Sequence, residues 1–155
     1  MEQIDLWALE DRYRREGARL ICGADEAGAG PLAGAVYAAA VILPWGWVPE
    51  GLNDSKKVTP RQRDRLFDEI RKRAVAWAVT SVDAAEIDAL NILTARLLAM
   101  DRAIRALDPA PDFALIDGNR DKGISCPRIA VVKGDSLSAN IAAASILAKV
   151  SRDRY

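Results

Sequence analysis

Two adjacent carboxylates at the end of a short apolar run constrain this chain more than any other feature of its sequence. Residues 20–24 have the length and composition of a buried strand, and Asp25 and Glu26 follow directly, ahead of a turn with Gly28 and Gly30. Adjacent acids at the edge of a core are costly to desolvate unless a cation neutralises them. Because Mg²⁺ and Mn²⁺ prefer oxygen ligands, the pattern predicts a divalent-metal site. The competing interpretation is that the two acids only solvate a turn.

The composition narrows the chemistry that such a site can perform. The chain has 155 residues, which suits one domain, and it contains no histidine. Catalysis by Ser-His-Asp or Cys-His groups is therefore excluded, as is zinc bound by histidine, which leaves carboxylates and lysines. Lys and Arg balance Asp and Glu at 22 each, so a contact with nucleic acid has to come from a local patch of charge.

The cysteines and the apolar runs indicate the compartment. Cys22 and Cys126 are far apart and have no C-x-x-C spacing, which favours a reduced, cytoplasmic setting over a zinc or redox site. The sequence begins with a charged stretch rather than a signal peptide, and no apolar run is long enough to span a bilayer. We therefore expect a cytoplasmic protein that makes no contact with a membrane.

The hydrophobic periodicity predicts alternating helices and strands. Thr59 with Gln62 forms the capping-box pattern that begins a helix, as does Asp83 with Glu86. The alanine-rich final segment predicts a helix that packs closely on a sheet. We expect strands over residues 19–24, 34–43, 74–82, 113–116 and 128–132, and helices over residues 3–16, 60–73, 93–107 and 138–154.

Two further predicted strands also run into acids. Asp117 follows the strand over 113–116, and Asp135 follows the strand over 128–132 after Lys133 and Gly134. Parallel strands present their carboxyl ends at one edge of an α/β sheet, where ligands usually bind. These two acids and the first pair would then converge, with enough oxygen ligands for two ions about 4 Å apart, the arrangement used for phosphodiester cleavage.

The same segments resemble the successive signatures of bacterial ribonuclease HII. The similar stretches cover nearly the whole chain in the family's order; they are ICGADEAG at 21–28, LNDSKK at 52–57, IDGN at 116–119, VKGD at 132–135 and IAAASILAKVSRD at 141–153. The resemblance implies an α/β, ribonuclease H-like fold with a mixed central β-sheet flanked by helices. It implies a monomer that uses Mg²⁺ or Mn²⁺ to cleave the RNA strand of RNA–DNA hybrids and to incise duplex DNA at embedded ribonucleotides, leaving 5′-phosphate and 3′-hydroxyl ends.

The resemblance also implies roles for individual residues. The family's catalytic, metal-binding acids correspond to the four acids at the predicted strand ends, Asp25, Glu26, Asp117 and Asp135. Positions that hold the nucleic-acid backbone correspond to Asn53, Ser55, Lys56 and Lys133. The main chain of Gly28, Ala29 and Gly30 corresponds to the turn that inspects the 2′-hydroxyl at the RNA–DNA junction, since glycine lets the backbone approach that group closely.

Two departures from the family pattern leave alternatives open. The turn is usually Gly-Arg-Gly in the family, and here Ala29 replaces the arginine. The sequence stops at Tyr155 within a helical pattern, so residues 1–155 are interpreted as a single catalytic domain that lacks the family's C-terminal helical part. One alternative is a catalytically impaired homologue that still binds hybrid duplex. The other is a dinucleotide-binding domain, which the spacing of Gly28, Gly30 and Gly34 weakly resembles.

Overall fold

A mixed sheet of five strands forms the centre of the computed structural model, which describes residues 4–28, 34–52 and 57–154. The strands are β1 (Ile21–Gly28), β2 (Ala35–Ile42), β3 (Ala76–Asp83), β4 (Phe113–Asp117) and β5 (Arg128–Val131). Their order across the sheet is β3-β2-β1-β4-β5. β1, β4 and β5 run parallel, whereas β2 is antiparallel to both β1 and β3. The sheet confirms the predicted fold class.

Five α-helices flank this sheet in the described part of the chain, and two of them begin at the capping boxes that the sequence predicts. The Thr59 hydroxyl accepts a hydrogen bond from the Gln62 amide, and the Asp83 carboxylate accepts one from the Glu86 amide. The side chain of Ser138 caps the last helix. The helices are α1 (Ala8–Arg15), α2 (Pro60–Arg73), α3 (Ala84–Leu90), α4 (Ile92–Arg105) and α5 (Ala139–Asp153).

The first strand is longer than predicted, and this changes where the acids sit. β1 runs on to Gly28 because β2 supplies antiparallel partners along its whole second half, ending with Gly28 opposite Val36. The parallel pairing with β4 stops earlier, with Ala24 opposite Ile116. Asp25 and Glu26 therefore lie inside β1, in the part that extends past its pairing with β4, and not in a turn after the strand.

Helices cover both faces of the sheet. α5 packs on one face over β1 and β2 together with α2, and α4 packs on the other face over β2, β3 and β1. α5 is buried along most of its length, as its small side chains predict. The first helix differs from the prediction, because it begins at Ala8 and its Glu10 is fully buried. No helix in the described ranges is long and apolar enough to cross a membrane.

Candidate metal centre

Asp25 is the most buried acid of the candidate site. Its side chain sits on β1 where the strand passes the end of β4, and only 7% of the residue is exposed. One carboxylate oxygen, Oδ1, accepts a hydrogen bond of 2.8 Å from the Glu26 amide. Burial raises the pKa of Asp25 well above its usual range, and the nearby charge of Asp117 raises the pKa further. The surroundings of Asp25 therefore favour the binding of a cation, which would stabilise the ionised carboxylate.

Asp117 comes next to Asp25 because β1 and β4 run parallel with Ala24 opposite Ile116, and the two acids are the residues that follow that pair. Its Oδ1 accepts a hydrogen bond of 2.8 Å from the Gly134 amide, at the start of a short 3₁₀ turn over Gly134–Ser136. A Cβ on Gly134 would lie 3.2 Å from that oxygen and 2.5 Å from Cδ1 of Ile141. Glycine is therefore the residue that lets this turn approach the carboxylate and orient it.

Glu26 follows Asp25 on β1 and faces a basic side chain. Its Oε2 lies 3.7 Å from Nε of Arg96, which is on α4. Burial raises the pKa of Glu26, the positive charge of Arg96 lowers it, and the charge of Asp117 raises it again. Glu26 thus interacts electrostatically with both the acid cluster and the helix on the other side of the strand.

Asp135 and Lys133 flank the glycine that binds Asp117. Asp135 is half-buried in the 3₁₀ turn, one residue from Gly134. Lys133 is exposed and has a left-handed backbone, with φ of 55°. The structure thus brings Asp25, Glu26 and Asp117 into electrostatic contact, and it places Asp135 beside the turn that holds Asp117. It shows no direct contact between Asp135 and the other three acids.

The chemistry of the four acids fits a hard divalent cation. Their side chains do not converge on a single point in the structure. All four acids offer carboxylate oxygens, and no basic side chain of the described residues forms an ion pair with Asp25 or Asp117. A buried carboxylate beside a half-buried one, with no basic side chain in the described part of the chain to neutralise either, favours the binding of a cation. Within the described ranges, no group of three or more His, Cys, Asp or Glu side chains stands in an arrangement that could hold a metal ion.

Most of the predicted nucleic-acid contacts cannot be placed. Ala29, Gly30, Asn53, Ser55 and Lys56 lie outside the described residues. Gly28 is described, and its φ of 107° is a backbone conformation that glycine adopts readily. The next described element after it is the strand β2 and not a helix, which disfavours the dinucleotide-binding alternative.

Two charged residues, Arg96 and Glu10, have partners on distant elements that the sequence does not predict. Arg96 was not singled out, because an arginine within an amphipathic helix gives no sign of facing an acid on another element. Glu10 was grouped with the charged N-terminal residues, yet its Oε2 accepts hydrogen bonds from Ser138 and Asn140 at the start of α5. Neither contact has a local sequence signal, since each joins residues far apart in the chain.

The sequence and the fold are both similar to known proteins. The family model described as Ribonuclease HII matches residues 22–155. A Ribonuclease HII of Caldicellulosiruptor saccharolyticus is 52% identical over 147 residues, covering 95% of this chain and 72% of that protein. A Ribonuclease HII of Ruegeria pomeroyi is 57% identical over 156 residues, covering 99% of this chain and 65% of that protein. The crystal structure of the ribonuclease H2 from Pyrococcus horikoshii superposes with a TM-score of 0.76 at 27% identity, covering 88% of this chain and 73% of that one.

Proposed function

Because this chain belongs to the ribonuclease HII family, we propose that it is a metal-dependent endoribonuclease acting on RNA that is paired with DNA. It cleaves the RNA strand of RNA–DNA hybrids and incises duplex DNA at embedded ribonucleotides. The observation that carries the proposal is the proximity of the buried Asp25 to the half-buried Asp117, where the parallel pairing of β1 with β4 ends. That edge is where α/β sheets bind their ligands.

The four acids would hold Mg²⁺ or Mn²⁺ at this edge. Bound there, the ions would supply Lewis-acid chemistry that activates a water and stabilises the departing 3′ oxygen of the scissile phosphodiester. The protein's part is to fix the ligands in place. β1 carries Asp25 and Glu26, β4 carries Asp117, and the Gly134 amide orients the Asp117 carboxylate by its hydrogen bond. Asp135 follows in the same turn, which supports its assignment as the fourth ligand.

Lysine and the glycine turn would hold the substrate. Lys133 is exposed beside the turn that contacts Asp117, and an ammonium group suits a phosphate as a point charge. Asn53, Ser55 and Lys56 are proposed as further backbone contacts. The main-chain groups of Gly28 and of the next two residues, Ala29 and Gly30, would read the 2′-hydroxyl that separates RNA from DNA.

Incision of a defined duplex tests the proposal. The substrate is a labelled DNA duplex that carries one ribonucleotide, and the matched control is the all-DNA duplex. With Mn²⁺ or Mg²⁺ we expect a single nick that leaves 5′-phosphate and 3′-hydroxyl ends, and we expect excess chelator to stop it. Binding of the duplex without any nick would favour the impaired homologue. The cytoplasmic location and the monomeric state remain predictions, and light scattering tests the second.

A further inference from the structure

Arg96 is held against the acid cluster without being hydrogen-bonded to it. Its Nε lies 3.7 Å from Oε2 of Glu26, and the two side chains are 39% and 22% exposed. That Nε is itself buried and has no hydrogen-bond acceptor. This nitrogen has lost its hydrogen bonds to water and has gained no acceptor within the described parts of the protein, so only the attraction between the guanidinium and the Glu26 carboxylate stabilises it there. The pair is therefore a contact between charges and not a well-formed bidentate bridge.

The position of Arg96 is set by the fold rather than by its own chain neighbours. It lies on α4, which packs across β2, β3 and β1 on the sheet face opposite α5. Other arginines of the same helix have different partners: Arg102 binds Glu86 at 2.8 Å, and Arg105 binds Asp101 at 3.0 Å. Among the described residues, Arg96 alone pairs with an acid of the candidate metal centre.

We propose that Arg96 is a positioning residue that competes with the divalent cation for the carboxylate of Glu26. This role rests on the proposed function, because it requires that Glu26 bind the metal. The guanidinium of Arg96 lies 3.7 Å from a carboxylate oxygen of Glu26 and partly neutralises its charge. Metal binding then has to displace Arg96 from Glu26, so this contact sets the metal concentration at which the site fills.

The direction of the effect follows from the signs of the charges. The guanidinium occupies the carboxylate that the divalent cation would bind, so removing the guanidinium strengthens metal binding. For a partly solvated ion pair in moderate salt, the loss of this competing contact corresponds to roughly a three- to tenfold change in the dissociation constant. A lysine at the same position keeps the charge and should keep most of the competition.

Mn²⁺ binding to the full chain, measured by the loss of the electron paramagnetic resonance signal of free Mn²⁺, tests the proposal without nuclease activity. Arg96→Gln and Arg96→Met both remove the charge, Arg96→Lys retains it, and Arg102→Gln removes a charge from the same helix at a distant pair. We expect the two neutral variants to bind Mn²⁺ roughly three- to tenfold more tightly than the wild type. Arg96→Lys and Arg102→Gln should stay within about twofold of it.

A double variant separates competition at Glu26 from general repulsion. In a Glu26→Gln background, Arg96→Gln should change Mn²⁺ binding by less than about twofold, because the shared carboxylate is gone. An undiminished effect in that background would overturn the proposal, as would unchanged or weaker binding by the neutral variants. Nicking of the ribonucleotide-containing duplex by the wild type would then still support the nuclease. Failure of the wild type to bind Mn²⁺ at all would overturn both proposals.

Discussion

Gly23 of β1 lies directly against Asn140 of α5, so closely that a Cβ on the glycine would overlap the carbonyl carbon of Asn140. The same Cβ would also overlap the amide nitrogen of Ile141, so backbone meets backbone at this point. The Asn140 side chain adds a second connection, because its Oδ1 accepts a hydrogen bond of 2.8 Å from the Leu43 amide. This contact sets the depth at which α5 docks on the strand that carries Asp25 and Glu26.

Gly23→Ala should therefore destabilise the protein. Neither backbone can move without disturbing the packing of α5, and overpacking of this kind costs about 1–3 kcal/mol of unfolding free energy. Gly34→Ala is the matched control, since no atom lies within 4 Å of a Cβ built there. Chemical denaturation monitored by circular dichroism measures both. A Gly23→Ala protein as stable as the control would show that the helix docks less closely than described.

Glu10 predicts a pH dependence of stability. Its carboxylate is fully buried, Oε1 has no hydrogen-bond partner, and burial raises its pKa above 4.5, the ordinary value. The folded protein thus binds this proton more tightly than the unfolded chain does. The stability that Glu10 contributes is complete below the unfolded pKa and is lost as the pH rises through the folded pKa. The neutral variant Glu10→Gln should not show that loss.

The measurement compares the unfolding free energies of wild type and Glu10→Gln from pH 4.5 to pH 8. We expect the stability of Glu10→Gln relative to the wild type to increase as the pH rises. The side-chain oxygen of the glutamine still accepts the hydrogen bonds from Ser138 and Asn140. Glu16→Gln is the control, because Glu16 is an exposed partner of Arg12. A difference that stays constant with pH, or that moves toward the wild type, would contradict the assignment.

Gly134→Ala should weaken catalysis more than it weakens the fold. The new Cβ would press on Cδ1 of Ile141, a side-chain end that can move, and on Oδ1 of Asp117, which the Gly134 amide orients. Displacing one ligand of the proposed metal site lowers the nicking rate by about ten- to a hundredfold. Single-turnover nicking and thermal unfolding measure the two effects. Wild-type nicking by this variant would show that the orientation of Asp117 by the turn is dispensable.

Ala29→Arg should strengthen the interaction with substrate. The family resemblance places a guanidinium at this position, and a regained charge-assisted contact corresponds to roughly ten- to a hundredfold in affinity or rate. Nicking at one ribonucleotide, compared with the wild type over a range of salt concentrations, measures the gain. Ala29→Gln, which adds length without charge, is the control. No gain over that control would mean that the backbone of the turn alone reads the junction.

The sheet and most helix starts could be predicted because their determinants are local. Short apolar runs or alternating apolar residues mark the strands, and Thr59 and Asp83 carry their capping partners three residues away. The convergence of Asp25 and Asp117 was also predictable, since it needs only the rule that parallel strands end at one edge. The structure confirms that β1, β4 and β5 are parallel.

The misplaced features depend on contacts between distant parts of the chain. β1 extends past Ala24 because β2 pairs with its second half, and no periodicity in residues 25–28 reveals that partner. Glu10 is buried by Ser138 and Asn140, more than a hundred residues away in sequence. The apolar periodicity of α4 predicts that Leu93 faces the core, but Leu93 is 37% exposed and is not part of the core cluster that the rest of the helix joins.

The most direct test of the account is Asp117→Asn, assayed on a DNA duplex with a single ribonucleotide in Mn²⁺. Asp121→Asn is the matched control, because Asp121 lies in the loop after β4 and pairs with Arg128. We predict that Asp117→Asn loses both nicking and tight Mn²⁺ binding while it unfolds at a temperature close to that of the control, which should nick as the wild type does. Nicking by Asp117→Asn at the wild-type rate, or nicking that persists in excess chelator, would contradict a metal centre built on Asp25 and Asp117.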